Sequence, residues 1–123
     1  MQIDMHAVAI VLVLALPAPQ SFAGCDPKLP SLELERCLAD DLAAEDLRLG
    51  KREKQIRDGL SSRATSAFDD AAARWRSYRD AECRSVHDSK DVGSAAVASG
   101  LTCRIDLAKA RMSNLNKFYR GPP

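Results

Sequence analysis

The stretch Arg74–Arg84, RWRSYRDAECR, sets the only tryptophan of the chain, Trp75, beside Tyr78, Cys83 and six charged side chains. Its apolar residues do not alternate as a half-buried strand requires. Read as a helix, the segment extends a stripe of Phe68, Ala71 or Ala72, Trp75, Tyr78 and Glu82 or Cys83 at steps of three and four. Arg76 then stands one turn from Asp80, and Arg79 one turn from Glu82, so these arginines are expected to pair on a solvated face. Trp75 and Tyr78 are expected as core wedges, with Cys83 tying the helix to a neighbour. Arginines around two aromatics could also stack on nucleic-acid bases, but the intervening Asp80 and Glu82 oppose that use.

Helical spacing continues on both sides. Upstream, Ser31 after Pro30 is a reasonable N-cap. Leu34, Cys37 or Leu38, Leu42, Leu49, Ile56 and Leu60 recur at steps of three, four and seven. One long helix is expected from about Leu32 to Leu60, weakened at Gly50 and Gly59, with Gly50 a candidate break. Ser61–Ser66, SSRATS, is the next interruption, and Ser66 with Asp69 resembles a capping box opening the second helix. Asp88–Ser94, DSKDVGS, is polar, contains glycine and reads as a loop. Beyond it Val97, Leu101, Ile105, Ala108, Met112, Leu115 and Tyr119 mark a third amphipathic helix, in which Gly100 costs about 1 kcal/mol relative to alanine. The class is all-α: a small antiparallel hairpin or bundle of about three long helices.

Residues 1–23 read as a secretory signal peptide, and residues 24–123 as a single domain. Ala7–Leu16, AVAIVLVLAL, is a continuous apolar run too short to span a bilayer, and Ser21-Phe22-Ala23 fits a cleavage site. The positive n-region usual in such segments is missing. Phe22-Ala23-Gly24-Cys25 also approaches a lipoprotein box, which would make Cys25 a lipid anchor. Cysteine parity opposes this. All four cysteines, Cys25, Cys37, Cys83 and Cys103, follow residue 23, and an even number in a short exported chain suggests two disulfides. Antiparallel packing across the 88–94 loop would set Cys83 beside Cys103, leaving Cys25 with Cys37 to pin the irregular start to the first helix. The expected location is periplasmic or secreted.

All 18 Lys and Arg lie after residue 23 and one of the 17 acids, Asp4, precedes it, leaving the exported part at +2. Such a balance is poor for sequence-independent nucleic-acid binding. The distribution is uneven, with Glu33, Glu35, Asp40, Asp41, Glu45 and Asp46 gathered against two arginines in Ser31–Leu49. Catalysis finds little support. The exported part holds one histidine, His87, with no serine, cysteine or carboxylate at triad or metal-ligand spacing, and there is no C-x-x-C. Asp40-Asp41 and Asp69-Asp70 are adjacent, so on a helix they point in different directions. No cofactor, metal or enzyme activity is expected.

The pattern W-x-x-Y-R-D-A-E-C-R (Trp75, Tyr78, Arg79, Asp80, Ala81, Glu82, Cys83, Arg84) resembles the signature of the LprI-type lysozyme inhibitor family. Cys25 and Cys37 stand at its early spacing, with Glu35 before the second cysteine. Leu38–Leu49 resembles its acidic helix, Gly93-Ser94 its glycine-serine turn, and Cys103, Leu107, Arg111 and Leu115 its final helix. Gly50 and Ala108 depart from the family's usual asparagine and threonine. The resemblance implies an exported, helical, disulfide-bonded bacterial protein, with some members inhibiting lysozyme. A stoichiometric blocker of lysozyme is one expectation, and a structural or interaction module of the cell envelope is the alternative. For blockade, the contact residues expected are Asp88, Ser89, Lys90 and Asp91 in the stapled loop. Asp40, Asp41, Glu45 and Asp46 are expected as an acidic face attracting a basic lysozyme.

Overall fold

A computed structural model describes residues 24–120, and the signal-peptide reading of residues 1–23 lies outside them. Three α-helices follow in order: α1 (Ser31–Asp58), α2 (Ser62–Asp88) and α3 (Ser94–Phe118). Among the described residues there is no strand, and no helix is long and apolar enough to cross a membrane. Helix α1 passes through Gly50 without a break, so the cost of one glycine is outweighed by the packing of Leu49 and Ile56 on either side of it.

Two expected helix starts are displaced. Pro30 is the residue before α1 and Ser31 is its first helical residue, with no side-chain cap. Helix α2 begins at Ser62, not near Ser66, because Ser61 is its cap and accepts a hydrogen bond from the Ala64 amide at 3.3 Å. Only Gly59, Leu60 and Ser61 therefore connect α1 to α2, and Leu60 packs against the core. The second connection is the expected loop, reduced to residues 89–93.

Contacts fix the directions. Asp46, Glu53 and Arg57 of α1 meet Arg79, Arg76 and Asp69 of α2, so these helices run antiparallel. Asp80 and Cys83 of α2 meet Arg104 and Cys103 of α3, also antiparallel. Helix α3 packs against both others. Its residues Ala108 and Leu115 join Leu49, Ile56 and Phe68 in one buried cluster, flanked by Leu60, Trp75, Met112 and Tyr119. Phe68 meets Tyr119 edge to face, with ring centroids 5.4 Å apart.

The disulfides are Cys25–Cys37 and Cys83–Cys103. The first ties the non-helical N-terminal segment to α1, and the second joins α2 to α3 behind their connecting loop. Beside it Gly100 is buried, and a Cβ built there would lie 3.3 Å from His87 Cβ and 3.8 Å from the Cys83 carbonyl oxygen. The glycine lets α2 and α3 approach closely where the disulfide crosses.

Candidate partner-binding surface

The Trp75–Arg84 segment works as a fastener between helices. Arg79 donates to both carboxylate oxygens of Asp46 on α1, at 2.6 and 3.3 Å. Arg76 donates to both oxygens of Glu53 on α1, at 2.7 and 3.3 Å. Arg104 of α3 donates to Asp80. The expected pairs within α2, Arg76 with Asp80 and Arg79 with Glu82, are not formed. Their failure has a physical reason: α1 and α2 meet chiefly through side chains, and the guanidinium groups span the gap between them. Arg79 is 9% exposed, so it is an interior group and not part of a solvated face. Such forked two-point pairing suits arginine better than lysine.

Trp75 is half-buried against the core and lies under two guanidinium groups, Arg79 at 4.9 Å and Arg111 at 5.7 Å from its ring. The Nε atoms of both arginines are buried without a hydrogen bond, and their attraction to the aromatic ring offsets part of that deficit. Tyr78 is 53% exposed and is no core wedge. Cys83, one turn beyond the buried Arg79, takes the inward position and is 1% exposed. Glu82 is exposed.

The 89–93 loop projects from the end of the molecule held by the two disulfides. All of its residues are exposed, Val92 at 89%. Its start is fixed by the amides of Ser89, Lys90 and Asp91, which donate to Ser85, His87 and Asp88 carbonyls, and by Ser89 Oγ donating to the Val86 carbonyl at 2.6 Å. Asp91 adopts φ +62° and Gly93 φ +100°, the second a backbone geometry that favours glycine. Asp88 accepts from or pairs with His87 Nδ1 at 2.9 Å. Beside the loop a groove of about 500 Å³ is lined by Leu34 and Leu38 of α1, Val86 of α2, Ala98 of α3, and Lys90 and Asp106.

The four expected acidic contacts divide. Asp40 is exposed. Asp41 is half-buried with Oδ2 3.6 Å from Cys25 Sγ, a contact without a hydrogen because the sulfur is in the disulfide. Glu45 is buried and takes Arg48 at 2.6 Å. Asp46 is engaged by Arg79. Of the four, Asp40 and Asp41 therefore form no ion pair among the described residues, while Glu45 is paired with the exposed Arg48 of its own helix and Asp46 with the buried Arg79 of α2. Cys25, Cys37 and Asp41 cluster closely, yet metal ligation requires a thiolate and both sulfurs are bonded to each other. That bond also leaves Cys25 no sulfur for a lipid thioether.

Residues 25–115 match the family described as Lysozyme inhibitor LprI. No curated protein and no solved structure matches the chain.

Proposed function

The chain belongs to the LprI family of lysozyme inhibitors, and we propose that it is exported and blocks a lysozyme by stoichiometric binding. The match carries this reading, since it runs through both disulfides, the Trp75–Arg84 segment and all three helices. The family comprises inhibitors and not enzymes, in keeping with blockade. Export after residue 23 would deliver the protein to an oxidising compartment where disulfides persist and where lysozyme acts.

The contact surface in this proposal is the loop end. Lysozyme works through two carboxylates in a sugar-binding cleft, and a protrusion already held in shape loses less conformational freedom when it enters one. The 89–93 loop has that character. It is capped by α2, closed by Cys83–Cys103, and presents Lys90 and Val92 to solvent. Asp40 and Asp41 on the same end supply a field that would speed encounter with a basic lysozyme.

The test is a titration of the exported, oxidised protein against several lysozyme types, followed by cell-wall lysis. Inhibition should rise linearly to a stoichiometric end point with at least one of them. Replacing Asp88–Asp91 with glycine and serine should weaken inhibition and leave helicity intact. Absence of inhibition of every type, well above micromolar concentration, would sink the reading and leave an envelope interaction module.

A further inference from the structure

Antiparallel folding sorts the charge of this chain into two halves. The half built from residues 50–74 and 107–120 carries ten Lys and Arg against four acids. The disulfide half, residues 24–49 and 75–106, carries eight against twelve. Many cations of the basic half are neutralised: Lys54 by Asp58, Arg57 by Asp69, Arg74 by Asp70, and Arg111 lies beside Glu53. Lys51, Arg52, Lys109, Lys117 and Arg120 form no ion pair among the described residues.

These five share the outer face of α1 and α3. Lys109, Ser113 and Asn116 fall at steps of four and three, so they form one stripe along α3, and Arg120 follows two residues past the end of that helix. Arg52 fixes α1 beside that stripe by donating to Asn116 Oδ1 at 2.9 Å and to the Tyr119 carbonyl at 3.1 Å. Lys51 neighbours Arg52 on the exposed side, and Lys117 is exposed next to the stripe. Beneath them Leu49, Ile56, Ala108 and Leu115 close the space between the helices.

We infer that this α1/α3 ridge is a docking surface for an anionic phospholipid bilayer. Lys109 to Lys117 spans about 12 Å along the helix at about 1.5 Å per residue, with Arg120 just beyond its end. Side by side, the two helices broaden the patch by roughly 10 Å. A broad, closed, cationic face suits a charged plane better than a single strand of polymer, which a groove would seat. Attraction to the anionic leaflet acts within about a Debye length, roughly 8 Å at physiological salt, so the ridge must lie against the headgroups. Docking there leaves the 89–93 loop at the far end uncovered. The inference stands apart from lysozyme, since none of its residues belongs to the proposed inhibitory surface.

Co-sedimentation of the exported, oxidised protein with vesicles tests it. The protein should pellet with phosphatidylcholine vesicles containing phosphatidylglycerol, stay in solution with phosphatidylcholine alone, and be released by salt. Each ridge cation should contribute about fivefold to the partition, the ratio that roughly 1 kcal/mol represents. Lys109→Gln, Lys117→Gln and Arg120→Gln together should then weaken it by about 100-fold. Lys28→Gln, Arg36→Gln and Arg84→Gln remove the same charge from the other half and should change it by only a few fold. Far-UV circular dichroism verifies that both variants keep their helices. No pelleting at low salt, equal losses in the two variants, or tighter retention of soluble polyphosphate than of anionic vesicles would overturn the proposal.

Discussion

Trp75 and Tyr78, three residues apart on α2, have opposite fates. Trp75 packs against the core and holds Arg79 and Arg111 over its ring, while Tyr78 is largely in solvent. Trp75→Ala should lower stability by about 3 kcal/mol, and Tyr78→Ala should stay within about 0.5 kcal/mol, both read from urea unfolding midpoints. Equal effects would mean that Trp75 is not a core residue. Spacing alone could not separate the two, since both fit one broad stripe; the inward line runs through Trp75, Arg79 and Cys83 at steps of four and leaves Tyr78 to one side. Asp80 offers a second check. The Arg104 hydrogen bond, reinforced by the charges of Arg104, Arg79 and Arg84, holds its carboxyl below the ordinary range. That pair contributes stability above the unfolded aspartate value, about 3.9, and the contribution is lost as pH falls through the lower folded value. Asp80→Asn should therefore be less stable than the parent at pH 7 by a fraction of a kcal/mol, since the pair is exposed. The gap should close as the pH falls below the ordinary aspartate range, and a gap that widens in acid would contradict the assignment.

Two glycines inside helices show how one residue type serves unlike ends. A Cβ at Gly50 would meet nothing within 4 Å, whereas one at Gly100 would press on His87 at 3.3 Å. Gly50→Ala should stabilise α1 by about 0.5–1 kcal/mol through helix propensity alone. Gly100→Ala should lose that gain to the contact, because His87 and Cys83 are fixed by the adjacent disulfide, and should lower the thermal midpoint. A rise for both substitutions would show that α2 and α3 can separate locally. The three helices, their order and the Cys83–Cys103 pairing were legible from periodicity and cysteine parity. Hidden from the sequence was how far apart α1 and α2 stand. That distance turns Arg76 and Arg79 away from neighbours on their own helix and toward Glu53 and Asp46. The start of α2 has a local reason instead: the Ser61 hydroxyl accepts the Ala64 amide and so caps the helix a turn before Ser66 could.

At the scale of the molecule, the acidic run of α1 is not one surface. The sequence places Asp40, Asp41, Glu45 and Asp46 together, but packing leaves two of them open and spends the others within the fold. Neutralising the open pair and neutralising Asp46 should therefore have distinct consequences for the proposed inhibition. Asp40→Asn with Asp41→Asn should slow association with a basic lysozyme, most strongly at low salt where screening is weak, and leave the unfolding midpoint nearly unchanged. Long-range attraction acts on encounter, so dissociation should change little. Asp46→Asn should act in the reverse manner. It removes the partner of an interior arginine, an arrangement in which breaking one side leaves a charge poorly compensated, and so it should lower stability by about 1–2 kcal/mol, discounted for the exposure of Asp46, with little effect on the association rate of the folded protein. Stopped-flow binding at two salt concentrations, beside urea unfolding of the same variants, separates these outcomes. A common slowing by the Asp40/Asp41 double variant and by Asp46→Asn, with no loss of stability, would make Asp46 part of the partner-facing patch, and the Arg79–Asp46 fastener would then be dispensable to the fold.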